Sequence, residues 1–141
     1  MPEGQEVDVM GRQIPSENEW VIMEVLWDSE CASMTAAEII HALRPVLSIS
    51  PKTVRVMIGR LVSKGMLGFT VDAEDSRVYH YRALAGREAC LAEKEQRFVS
   101  RYFGGKVSLA VASFLKSADI SDDELEKLQE LVGRLREKRD D

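Results

Sequence analysis

The chain has 141 residues, 45% of them hydrophobic and 30% charged, with a formal net charge of −5. That length suits one domain plus a smaller appendage, and the composition excludes a globally disordered or disulfide-dense chain. No apolar run approaches the roughly 18 to 20 residues that cross a bilayer, and the acidic amino terminus lacks the order of a signal peptide, so the chain reads as soluble and cytoplasmic.

Residues 1–12 carry Gly, Gln and acids without periodicity and read as a flexible tail. Ser16-Glu17-Asn18-Glu19 is a capping box, in which a hydroxyl and a carboxylate satisfy the free amides at a helix start. It opens a strongly apolar first helix with Trp20, Ile22, Met23, Val25, Leu26 and Trp27. A second box, Thr35-Ala36-Ala37-Glu38, opens a helix through Leu43 whose inward face is Ile39, Ile40 and Leu43.

The third helix is the most informative. Ser50 is a good N-cap, Pro51 fits the first position where its missing N–H costs nothing, and Gly65 supplies a left-handed stop. Between them Val54, Met57, Ile58, Leu61 and Val62 form an inward stripe, leaving Lys52, Thr53, Arg55, Val56, Gly59 and Arg60 largely outside. Residues 39–71 contain no Asp or Glu while Arg44, Lys52, Arg55, Arg60 and Lys64 are cationic, so the rest of the chain carries the whole acidic excess. Phosphate binding follows the local field, because salt screens exposed charges beyond about 8 to 10 Å. Two readings fit five cations alone, a solvated face or a polyanion site. The preceding helices favour DNA, since a second helix that supports a third in the major groove is the helix-turn-helix arrangement.

After Gly65, residues 66–71 and 78–83 are rich in Phe, Val and Tyr and flank a polar, turn-prone stretch, which reads as a hairpin wing. Arg77 is a further candidate contact, opposed by Asp72, Glu74 and Asp75 beside it. Residues 13–84 are therefore expected to form a winged helix-turn-helix domain. Residues 85–103 continue as a helix to Gly104-Gly105, residues 106–115 form a short apolar helix, and a third capping box from Ser121 to Glu124 opens a final one. Its stripe contains Leu125, Leu128, Leu131, Val132 and Leu135. A unit of this size, residues 85–141, is too small for a comfortable core of its own. Its apolar faces fold back on the same chain or, as we prefer, against a second copy. Phe98, Leu109, Phe114, Leu125, Leu128, Leu131 and Leu135 are the candidate dimer residues. A two-fold dimer of this kind calls for an inverted repeat in the DNA.

Cys31 and Cys90 belong to no metal-ligand cluster and read as free thiols; His41 and His80 are isolated. With no nucleophile elbow, phosphate loop or HExxH, the sequence nominates no enzyme, metal or cofactor.

Glu19-Trp20-Val21-Ile22-Met23 with Trp27, Ser50-Pro51-Lys52-Thr53-Val54-Arg55 with Arg60-Leu61 and Lys64-Gly65, and Tyr79-His80-Tyr81 together resemble the penicillinase-repressor (BlaI/MecI/CopY-like) family of winged-helix transcriptional repressors. The resemblance implies a mostly α fold with a small β-hairpin, a carboxy-terminal helical dimerisation domain, and a homodimer that represses transcription from palindromic operators. It assigns Lys52, Thr53 and Arg60 to the operator, with Arg55 toward the flank; Val56 and Gly59 stand where the family often has small polar residues. In resistance-regulating members a membrane sensor-protease system relieves repression, through cleavage at an Asn-Phe bond that aligns with Arg97-Phe98, where the first residue differs. The paired cysteines of the copper-responsive branch are missing from 136–141. Two other functions share the scaffold: a winged-helix module that binds protein, and a regulator with a small-molecule effector.

Overall fold

The computed structural model of the chain describes residues 13–140, so the expected tail at 1–12 lies outside the described residues. In order, the elements are α1 (Glu17–Asp28), β1 (Met34–Thr35), α2 (Ala36–Leu43), α3 (Pro51–Ser63), β2 (Leu67–Val71), β3 (Tyr79–Ala83), α4 (Arg87–Phe103), α5 (Val107–Ser117) and α6 (Asp122–Asp140).

The helix starts are built as their sequences require. At α1 the Glu19 amide donates to Ser16 Oγ (3.3 Å) and the Ser16 amide to Glu19 Oε1 (3.0 Å). At α2 the same exchange joins Thr35 and Glu38, at 3.2 and 2.9 Å. Ser50 Oγ accepts from the Thr53 amide at 3.1 Å, with Pro51 in the first turn of α3. Ser121 Oγ accepts from the Glu124 amide at 3.2 Å. The end of α3 is a Schellman motif: Gly65 has φ 77°, its amide donates to the Val62 carbonyl (3.0 Å), and the Met66 amide donates to that of Leu61 (2.9 Å). An L side chain there would meet its own carbonyl, so glycine is what lets the chain turn directly from α3 into β2.

The sheet has strand order β1-β3-β2, all antiparallel, with Leu67 opposite Ala83 and Val71 opposite Tyr79 across the hairpin. Strand β1 was not foreseen. Its two residues are too few for any alternation to be visible, and Thr35, already recognisable as a cap, also pairs with His80. Three helices and this winged sheet enclose a single core: Ile22, Met23 and Leu26 from α1, Ile39, Ile40 and Leu43 from α2, Val54, Met57, Ile58 and Leu61 from α3, then Met66, Leu67, Ala85 and Cys90. The architecture is a winged helix-turn-helix followed by helices.

Two compact units divide between Arg97 and Phe98, later than the 84/85 boundary expected from sequence. The first part of α4 belongs to the winged unit because Ala85 and Cys90 are buried in its core and two tryptophans of α1 hold it. Trp27 Nε1 donates to the Ala85 carbonyl at 2.9 Å and the Arg87 guanidinium lies 5.6 Å from the Trp27 ring centre. Two turns back along α1 and two turns on along α4, the Lys94 ammonium lies 5.3 Å from the Trp20 ring. Trp27→Phe keeps an aromatic face but deletes the N–H, and is expected to lower unfolding free energy by about 1 kcal/mol in urea titration.

In the second unit, Phe98, Tyr102, Phe103 and Phe114 form an aromatic cluster with centroid separations of 5.1 to 6.1 Å. Gly104 and Gly105, at φ 58° and 82°, break the path between α4 and α5. Helix α6 has no buried residue, although it carries the leucine stripe.

Candidate nucleic-acid interface

The register of α3 fixes its outer face. With Val54, Met57, Ile58 and Leu61 in the core, Lys52, Thr53, Arg55, Val56, Gly59 and Arg60 are all exposed. Thr53 Oγ1 lies 2.9 Å from Ser50 Oγ, which ties its rotamer to the cap. The side chains of Lys52, Arg55 and Arg60 make no hydrogen bond or ion pair among the described residues. Nothing lies within 4 Å of where a Cβ on Gly59 would be, so the centre of this face is open. Three cations without an ion-pair partner around an open, apolar centre suit a large anionic surface better than a small ligand.

Lys64 is placed differently from the other candidate contacts. Its ammonium donates to Glu19 Oε1 at 2.5 Å and to the Ile14 carbonyl at 3.3 Å, and the side chain is only 19% exposed. The reason lies in the helical period: Lys64 is three residues past Leu61 and seven past Met57, on the core stripe, and its cation is turned inward. Burial pushes the Glu19 carboxyl up, but the Lys64 hydrogen bond, the Ser16 amide and the Lys64 charge outweigh it and hold it below the ordinary carboxylate range.

The wing engages two of its three acids with its own side chains. Arg77 is exposed and forked onto Asp75, with Nε to Oδ1 at 3.1 Å and an NH2 contact to Oδ2 at 3.3 Å. That fork, with the Arg77 amide, holds the Asp75 carboxyl below its ordinary range. Asp72 takes His80 Nε2 at 2.7 Å and the amides of Glu74 and Asp75 at 3.0 Å each, and the His80 hydrogen bond is the largest cause of its lowered pKa. Glu74 is exposed. The expected opposition to phosphate is therefore blunted at Asp75, where the Arg77 guanidinium offsets the carboxylate.

An apolar wing face went unrecognised in the sequence. Phe69, Val71 and Tyr79 are exposed, and Phe69 stacks on Tyr79 with ring centres 4.6 Å apart and planes 6° from parallel. The signal was the alternation of Leu67, Phe69, Val71 and Tyr79, Tyr81, Ala83, which puts these residues on one side of the hairpin. A notch of about 380 Å³ opens between the start of α2 at Thr35 and Ala36, Arg55 on α3, and Arg77, Tyr79 and Tyr81 on the wing. Burial, then Tyr79, pushes the Tyr81 phenol up, with Arg55 acting the other way.

The dimer candidates are placed as follows. Leu109, Phe114, Leu125, Leu128, Leu131 and Leu135 are 39 to 52% exposed, and Phe98 is 41% exposed while contributing to the aromatic cluster. Arg97, whose Nε bonds Glu93 Oε1 at 2.9 Å, and Phe98 both lie inside α4, so the bond between them is in helical backbone. No helix among the described residues is long and apolar enough to cross a membrane.

A family model described as penicillinase repressor matches residues 15–134. The methicillin resistance regulatory protein MecI of Staphylococcus aureus (strain N315) is 29% identical over 119 residues, covering 84% of this chain and 93% of that protein. The penicillinase repressor of Bacillus licheniformis is 28% identical over 123 residues, covering 86% and 92%. Among solved structures, the DNA binding domain of the repressor BlaI aligns with a TM-score of 0.46 and 30% identity, over 55% of this chain and 92% of that domain. Because the family match begins beside the α1 cap and runs through the winged unit far into α6, the chain belongs as a whole to the penicillinase repressor family.

Proposed function

We propose that this protein is a homodimeric, cytoplasmic transcriptional repressor that holds inverted-repeat operator DNA through α3. The observation that carries the reading is the outer face of α3, where Lys52, Arg55 and Arg60 surround Val56 and Gly59 without any partner of their own. Lys52 and Arg55 serve as phosphate anchors, and Arg60 and Thr53 reach base edges. Val56 offers a methyl surface to a thymine methyl. Arg77, already forked onto Asp75, contributes at the flank. The family membership supports repression as the outcome, and the exposed leucine stripe of α6 supports the second copy.

The direct test is selection of genomic fragments by the purified protein, followed by footprinting. An inverted repeat protected on one face of the duplex is expected, and increased transcription of the adjacent genes on deletion. A protein adaptor would leave every fragment unprotected.

Gly59 gives a second test that separates stability from function. It sits in an exposed helix interior with open space around it, so Gly59→Ala is expected to raise unfolding free energy by roughly 0.5 to 1 kcal/mol. The added methyl enters the surface that approaches the groove, so affinity for the selected repeat should fall while affinity for random duplex stays near wild type. Thermal melts and DNA titrations on one preparation read both changes.

A further inference from the structure

We propose that Glu19 and Lys64 are a positioning pair that fixes where the carboxy-terminal end of α3, and with it Arg60, is presented to the DNA. This rests on the operator-binding reading above. Glu19 is the one buried charged residue among the described residues, 2% exposed, and the DNA-facing surface makes no use of it. A single atom, its Oε1, accepts both from the amide of Ser16, the N-cap residue of α1, and from the Lys64 ammonium. The start of α1 and the end of α3 are therefore pinned to one point. Lys64 is the C-cap of α3, and its amide donates to the Arg60 carbonyl at 2.9 Å. A shift at Lys64 is thus passed one helical turn back to the side chain proposed to read a base. At the other end, Ser50 caps α3 through Thr53, three residues away, a bond that closes the local turn without tying it to another element.

Apolar contacts alone do not fix this geometry with the same definition. Val54, Met57, Ile58 and Leu61 give α3 its burial, but methyl-rich surfaces tolerate small sliding and rotation, whereas an ammonium on one carboxylate oxygen does so poorly. A buried ion pair adds little net stability over an apolar pair of equal volume, because desolvation offsets the attraction; fixing an arrangement is the use that remains.

The test compares wild type, Lys64→Met, Glu19→Gln and the double variant on two duplexes, one selected from genomic fragments by the wild-type protein and one of random sequence, over a series of salt concentrations. Glu19→Gln keeps an oxygen for the Ser16 amide and removes the charge. Each single variant is expected to lose roughly 5- to 30-fold in affinity for the selected duplex. Affinity for random duplex, and its salt slope, should remain at wild-type values. The double variant should lose no more than the worse single, because both changes break one interaction. If a single variant fails to fold by circular dichroism, the double variant decides the matter: with both charges gone it is expected to fold and still to discriminate poorly, and full discrimination would overturn the proposal.

A salt slope that drops by about 0.9 per protomer in Lys64→Met would make Lys64 a phosphate contact instead. Equal losses on the two duplexes, or additive losses in the double variant, would also reject positioning. Failure of the wild type to bind any duplex is a separate result, which defeats the DNA reading itself.

Discussion

Leu128→Asp is expected to turn the protein from a dimer into a monomer in sedimentation velocity and to weaken its hold on an inverted repeat by about 10²- to 10⁴-fold, the gain that linking two binding modules supplies. Within one chain Leu128 is 41% and Leu131 45% exposed, and Leu125 and Leu135 continue the stripe at 39 and 52%. A helix of 19 residues in which no side chain is buried leaves its apolar face half open, and most helical stability in proteins comes from packing such a face. A second copy covers the stripe most economically, since a two-fold contact needs only one self-complementary surface. The margins suit such a contact: Glu124, Lys127, Glu130 and Arg134 border Leu128 and Leu131 with both signs of charge. An aspartate in the middle leaves a carboxylate without water or partner at the interface, which opposes association strongly. Ile22, Leu43, Ile58 and the rest of the winged core lie in the other compact unit, so near-wild-type helical content and a cooperative melt of that unit are expected in the monomer. A Leu128→Asp protein that sediments as a dimer would place the contact elsewhere, with α5 and its exposed Leu109 and Phe114 next in line.

Much of the winged unit is legible from residue types because its boundaries depend on local chemistry. Ser16, Thr35 and Ser50 each cap the helix that their spacing to Glu19, Glu38 or Pro51 announces, and Gly65 takes the positive φ that a Schellman ending requires. The division of α3 into core and outer faces follows from its period alone. What escaped detection depends on partners distant in sequence. Strand β1 exists because Met34 and Thr35 meet Tyr81 and His80, and two residues carry no pattern. The boundary between units moved to Arg97 because Trp20 and Trp27 reach across more than 55 residues to Lys94, Ala85 and Arg87. Lys64 joined the candidate contacts through the local charge count, whereas its position on the Met57 and Leu61 stripe directs its ammonium to Glu19. The wing's Phe69, Val71 and Tyr79 alternate correctly for a strand, but alternation does not say how much of a hairpin projects beyond the core.

Arg60→Ala should cost roughly 1 to 3 kcal/mol on the selected inverted repeat and markedly less on random duplex, because a guanidinium that meets a base edge contributes through two directed hydrogen bonds. Lys52→Ala should behave differently. An ammonium is a point charge without a planar fork, and at the start of α3 it is placed for the backbone, so its loss should weaken both duplexes alike and reduce the salt slope by about 0.9 per protomer. The two variants therefore move different readouts: Arg60→Ala the ratio of selected to random affinity, Lys52→Ala the salt dependence. Both residues are exposed and without a partner, so neither change should lower the melting temperature appreciably, and any loss of binding reports on the interface and not on folding. If Arg60→Ala lowers both affinities equally while the ratio holds, Arg60 is a backbone contact. Base reading by α3 then falls to Thr53, whose hydroxyl is already oriented by Ser50.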